Sequence, residues 1–143
     1  VKAPDSIVGH YLGIKFKNGK TGFVGNTIHN NQFVAKIKKT GTYTIEQDTI
    51  PPLIKPSQLY DQRWLSNFKT IRFTIDDKET GIRSFQATIN GQWALFEYEP
   101  KKKEITFNFD EYFSFKGVKH KLKISVIDNV GNVSKHELEF YRK

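Results

Sequence analysis

Catalysis at a zinc ion would have to begin with histidine, and the chain carries four: His10, His29, His120 and His136. Such a site needs imidazole or carboxylate ligands converging at about 2.0–2.2 Å from the metal. No His-Glu-x-x-His segment is present. His120 and His136 fall on strands joined by the turn Asp128-Asn-Val-Gly-Asn132. In that hairpin His120 lies opposite a residue near 140, and His136 opposite one near 124. The two imidazoles are then several residues apart along the ladder. They read as satisfied rim histidines, and no metal ligand or cofactor is assigned.

Nucleophilic catalysis needs a hydroxyl within hydrogen-bond reach of a base that a third group orients. The Ser and Thr residues alternate along strand faces, and no Gly-x-Ser-x-Gly elbow occurs. No catalytic residue is assigned. Asp76, Asp77 and Glu79 form a short acidic turn, and calcium takes six to eight oxygens from such loops. The spacing lacks the EF-hand pattern. Turn capping, with Gly81 at positive φ, accounts for the same residues. Asp128 and Asn129, followed by Gly131, are read the same way.

One surface remains as a binding candidate. Asn90-Gly91 is a strong hairpin signal, because both central positions of a type I′ turn need φ > 0. Pairing across it puts Phe85, Ala87, Ile89, Ala94 and Phe96 on one face, the core face. Gln86, Thr88, Trp93 and Leu95 take the other. A flat indole beside amide and hydroxyl groups suits a sugar ring or an extended peptide. Burial of Trp93 and Leu95 against residues 1–48 or an upstream domain is the competing reading, since exposed indoles generally have a partner. Trp64, in Arg63-Trp-Leu-Ser-Asn67, sits in a loop and joins the same patch by hypothesis. The ligand-binding candidates are thus Trp93, Trp64, Gln86 and Thr88.

These residues must be positioned by sheets. Of 143 residues 37% are apolar and 14% aromatic, including 12 Phe. Aromatic and β-branched side chains suit a pleated, half-buried surface. With no Cys there is neither a disulfide nor a thiolate metal site. Met is also absent, even at position 1, so the chain is expected to be a piece of a longer protein. No signal peptide and no membrane span are found. Net charge is +8. The lysines are scattered, however: Lys119, Lys121 and Lys123 alternate with Leu122 and Ile124, and Lys101 to Lys103 follow Pro100 as a turn. They read as wet faces, and no nucleic-acid motif accompanies them.

Apolar residues alternate in twos almost throughout, with no helical stripe. Leu12, Ile14 and Phe16 form one strand. Phe33, Ala35 and Ile37 form another, and the turn at Gly41 makes it a hairpin with Tyr43 and Ile45. The two prolines of Asp48-Thr-Ile-Pro-Pro52 mark a junction no central strand crosses. Residues 1–48 are therefore the end of a preceding sandwich, or a small sheet leaning on the next domain. Residues 49–143 hold six or seven strands, built around Ile71, Phe73 and Ile75, then Ile105, Phe107 and Phe109, then Leu122, Ile124 and Val126, then Leu138 and Phe140. That pattern predicts an all-β immunoglobulin-like or fibronectin-type sandwich. Phe113-Ser-Phe115 reads as a loop plugging one end.

Three stretches stand in a telling order: Asp48-Thr-Ile-Pro-Pro52, Asp76-Asp-Lys-Glu-Thr-Gly-Ile82 and Asp128-Asn-Val-Gly-Asn132. With Thr88-Ile-Asn-Gly-Gln-Trp93, Glu97-Tyr98 and Phe140-Tyr-Arg-Lys143, the chain resembles the C-terminal β-sandwich tail of lysostaphin-type zinc metallopeptidases from the Bacteroidetes. The likeness covers most of 32–143 and is weaker over 1–31. It implies a cell-envelope parent, periplasmic or extracellular, that cuts peptidoglycan cross-links. That family's catalytic domain uses a His-x-His pair with a further His and an Asp on zinc, and none of this maps here. The implied partner is an upstream catalytic domain of the same parent chain. The implied role is a non-catalytic accessory tail that positions or docks that domain. An independent glycan- or peptidoglycan-binding module and a purely structural spacer are the alternatives.

Overall fold

The structure is a computed structural model describing residues 7–109 and 113–143. Its first unit contains β1 (His10–Lys15), β2 (Thr21–Gly25), β3 (Ile28–His29), β4 (Gln32–Phe33) and β5 (Thr42–Gln47). The order β2-β1-β5 makes a three-stranded sheet, and β3 pairs with β4 as a separate hairpin. Leu12 and Phe33 are buried here, with Val24, Tyr43 and Ile45 packed around them. The hairpin expected between 33–37 and 43–45 does not form. Tyr43 and Ile45 pair instead with Ile14 and Leu12 of β1, and 34–40 has no strand. Alternation marked Leu12 and Phe33 as inward, but Phe16 and Ile37, read with them, are 45% and 63% exposed, and the partner strand is a long-range choice that alternation leaves open.

The second unit runs through β6 (Leu53–Ser57), β7 (Arg63–Trp64), β8 (Thr70–Asp76), β9 (Ile82–Ile89), β10 (Gln92–Trp93), β11 (Glu97–Glu99), β12 (Glu104–Asn108), β13 (Lys119–Asp128) and β14 (Val133–Tyr141). One sheet has the order β11-β12-β8-β6, the other β10-β9-β13-β14-β7. With β6, β8, β9, β11, β12, β13 and β14 as strands A to G, these are the ABED and CFG sheets of the immunoglobulin sandwich. The short β7 adds itself parallel to β14. Pro56 sits in β6, an edge strand, where its missing donor leaves no central ladder broken. No helix of the described residues is long and apolar enough to cross a membrane.

Period-2 burial builds the core. Ile71, Phe73 and Ile75 of β8 are 2%, 0% and 0% exposed, while Arg72 between them is exposed. Phe107, Leu122, Ile124, Val126 and Phe140 close the same cluster. Each such side chain contributes roughly 1.5–3 kcal/mol by leaving water. Phe107 meets Phe109 edge-on at 5.3 Å and Phe113 at 5.9 Å. Phe113 and Phe115 belong to no strand, and both pack on the core from one end, as the plug reading expected. Arg142 fastens the chain's last strand: Nη1 donates to the carbonyls of Leu65, Ser66 and Phe68. Its guanidinium also lies 3.9 Å from the Phe109 ring centroid.

Candidate functional site

The hairpin at Asn90-Gly91 forms, with both residues at positive φ, 55° and 77°. It is shorter than its alternation suggests. Gln92 and Trp93 pair with β9, and the Ala94 amide still donates to the Ala87 carbonyl at 3.0 Å; the chain then crosses, through Leu95 and Phe96, to the other sheet. The facing is as expected: Ala87, Ile89, Ala94 and Phe96 are buried and Phe85 packs on the core. Trp93 is 61% and Leu95 43% exposed. They are uncovered by residues 7–48 in this chain.

Cross-strand register turns these residues into a surface. Trp93 lies opposite Thr88. Thr88 lies opposite Lys123, and Lys123 opposite Glu137. The row therefore runs indole, hydroxyl, ammonium, carboxylate over four strands. A parallel row holds Gln86, Ser125 and Lys135. Gln86, Thr88, Lys123, Ser125, Lys135 and Glu137 line a shallow hollow of about 280 Å³ on the outer face of the five-stranded sheet; Trp93 lies outside that lining, next to Thr88 on the edge strand β10. Glu137 bridges Lys121 at 3.1 Å and Lys123 at 3.3 Å. Hydrogen bonds from those two lysines hold its carboxyl below the usual carboxylate range.

Trp64 does not share this surface. It sits on β7, at the opposite edge of the sheet from β10. There it stacks on Tyr141 at 5.2 Å and 28°, beside the ammonium of Lys143. The sequence placed the two indoles in similar polar surroundings; only strand order separates them.

At the junction of the two units, three carboxylates from distant segments meet. An oxygen from each of Asp48, Asp77 and Asp128 lies within 4.8 Å of the others, a spacing that could hold a metal ion. Asp48 and Asp128 are fully buried. Both are already satisfied by protein donors. Asp48 accepts from Ile50 N at 2.9 Å and Thr80 Oγ1 at 2.8 Å. Asp128 accepts from the amides of Val130 and Asn132 and from Asn132 Nδ2. Asp77 caps its turn, accepting the amides of Glu79, Thr80 and Gly81. Turn capping is thus what these residues do, and it also ties the units together, since Asn132 Nδ2 reaches the Asp48 carbonyl at 3.0 Å. Of the acidic run read in the sequence, Asp76 leaves the group and pairs with Lys103 at 2.9 Å. Glu79 stays on the rim, its carboxyl pushed up by burial and by Asp48 and Asp77. The sequence reading missed that Asp48 joins this group; its place before the prolines was the available signal.

The histidines do not converge. His120 faces Phe140 and His136 faces Ile124 across β13 and β14. His120 is only 1% exposed, a core residue rather than a rim one. His136 meets Phe73 edge-on.

No family model matches the chain, and no curated protein matches it by sequence. Among solved structures, CopC from Methylosinus trichosporium OB3b is similar at TM-score 0.45 and 12% identity, over 64% of this chain and 94% of that one. The fibronectin(III)-like modules of Clostridium thermocellum CbhA are similar at TM-score 0.49 and 13% identity, over 95% of this chain. This chain spans 63% of that one's length. Likeness at such identities concerns the fold alone. The strand order is that of an immunoglobulin-like, fibronectin-type β-sandwich preceded by a small sheet.

Proposed function

We propose that the chain is a non-catalytic accessory module of an exported cell-wall peptidase, and that it positions the enzyme by holding peptidoglycan on the outer face of the five-stranded sheet. The observation carrying this reading is the exposed indole of Trp93, in register with Thr88, whose strand carries Gln86 two residues away. An indole gives a sugar ring a flat apolar partner, while the amide, hydroxyl and ammonium groups beside it offer hydrogen bonds. The zinc chemistry belongs, in this reading, to another domain of the same parent.

Sedimentation with insoluble peptidoglycan tests it. The wild-type chain is expected in the pellet, and Trp93→Ala in the supernatant with an unchanged melting temperature. A wild-type chain that stays in solution removes the polymer-binding reading. A second reading is favoured by the crossover between the sheets: Trp93 on β10, Leu95 after it and Tyr98 on β11 are all exposed, as residues docked on a neighbouring domain would be. In that case the isolated chain ignores peptidoglycan but binds the parent's catalytic domain through Trp93.

A further inference from the structure

The first unit holds a hollow of different chemistry. It opens between β1, β2, β5 and the 34–40 segment, with a volume of about 320 Å³. Phe16, Val24 and Tyr43 supply its apolar wall, and Lys36, Lys38 and Lys39 stand around it. Phe16 is 45% exposed, so its ring is not used up by the core. The 34–40 segment is held over the sheet by the Tyr43 hydroxyl, which donates to the Lys39 carbonyl.

Charge decides what fits. No acidic side chain lines the hollow. Across residues 7–48 the only acids are Glu46 and Asp48. Glu46 already faces Lys15 at 3.8 Å, and Asp48 is buried at the junction. Among the described residues none of Lys36, Lys38 and Lys39 forms an ion pair. Three ammonium groups around one hollow with no acid among its lining residues favour an anion there. Small-molecule sites have this composition: concave, mostly apolar and aromatic, with a few charged groups that fix orientation.

We propose that this hollow binds an anionic amphiphile. A phosphate or carboxylate head sits among Lys36, Lys38 and Lys39, and a short apolar body lies against Phe16, Val24 and Tyr43. A bare polyanion would leave the aromatic wall unused, and an uncharged apolar ligand would leave the ammonium groups unanswered. The proposal is independent of the outer sheet face.

Calorimetric titration of the full chain with hexyl phosphate tests it, against inorganic phosphate and 1-hexanol. Hexyl phosphate is expected to bind about tenfold or more tighter than either fragment, because only it uses both halves of the site. The Lys36→Gln, Lys38→Gln, Lys39→Gln triple variant changes exposed side chains only, and is expected to lose that advantage while Trp93→Ala keeps it. Equal binding by the triple variant overturns the proposal. So does inorganic phosphate or hexanol binding as tightly as hexyl phosphate. Competition by phosphatidylglycerol vesicles identifies a membrane lipid as the source of the head group; vesicles that do not compete identify a free amphiphile.

Discussion

Asn90 sets the proton on His120. The Asn90 Oδ1 accepts the backbone amide of Lys121 at 2.9 Å, which fixes which way the carboxamide points. Its Nδ2 must then donate to His120 Nδ1, at 2.9 Å. A nitrogen that accepts carries no proton, so neutral His120 is protonated on Nε2. That nitrogen is buried and lacks a well-formed hydrogen bond. The hairpin turn thus reads out the state of a core imidazole packed between Phe115 and Phe140.

This makes stability depend on pH in a definite sense. Burial lowers the His120 pKa, against the opposing pull of the Arg142 and Gly117 carbonyls. The unfolded imidazole, near pH 6.5, takes up its proton first. Above that pH both states are neutral and the fold keeps its full stability. As pH falls below it, the unfolded state binds more protons and stability is lost. The melting temperature is expected to fall between pH 7.5 and 5.5, and His120→Phe to flatten that fall. An unchanged slope in the variant would assign the effect to other groups.

Two glycines separate strain from collision. Gly81 has φ +82°, and an added Cβ would meet nothing nearer than Asn129 Nδ2 at 3.4 Å. Gly9 has φ +72°, but its Cβ would lie 2.5 Å from the Asp48 carbonyl oxygen. Gly81→Ala is expected to cost about 1–2 kcal/mol, the left-handed penalty alone. Gly9→Ala must also push back the segment whose Asp48 amide bonds the Gly9 carbonyl at 2.8 Å. Urea denaturation should rank Gly9→Ala below Gly81→Ala, and the reverse order would contradict the geometry of the junction.

Arg142 provides a third test. A lysine keeps the charge but loses the flat guanidinium that covers the Phe109 ring while its Nη1 reaches three carbonyls. Arg142→Lys is expected to destabilise the chain by about 1.5–3 kcal/mol, the range for hydrogen bonds to a charged group. Chemical denaturation of the two proteins measures it directly.

The two tryptophans should differ in function. Trp64→Ala removes an indole stacked on Tyr141 at the far edge of the sheet. Sedimentation with peptidoglycan is expected to be unchanged by Trp64→Ala and lost with Trp93→Ala. Equal loss from both would place the ligand across the whole sheet.

What could be read without the structure was local and periodic. Ile71, Phe73 and Ile75 alternate with polar neighbours, so their burial follows from the two-residue repeat of a strand. The Asn90-Gly91 turn needs only its own two residues, and it fixed the facing of Gln86, Thr88 and Trp93. Everything that depends on which strand lies beside which was out of reach. Alternation at Phe33, Ala35 and Ile37 suggested a strand, yet only Phe33 is buried, Ile37 is exposed, and Tyr43 and Ile45 found β1 rather than that segment. Strand order alone put Trp64 and Trp93 at opposite edges. Asp48, Asp77 and Asp128 sit in three separate turns, each explicable by itself, and only folding makes them neighbours. A side chain's inward or outward direction is set by its own backbone; its distant neighbours are set by the packing of the whole.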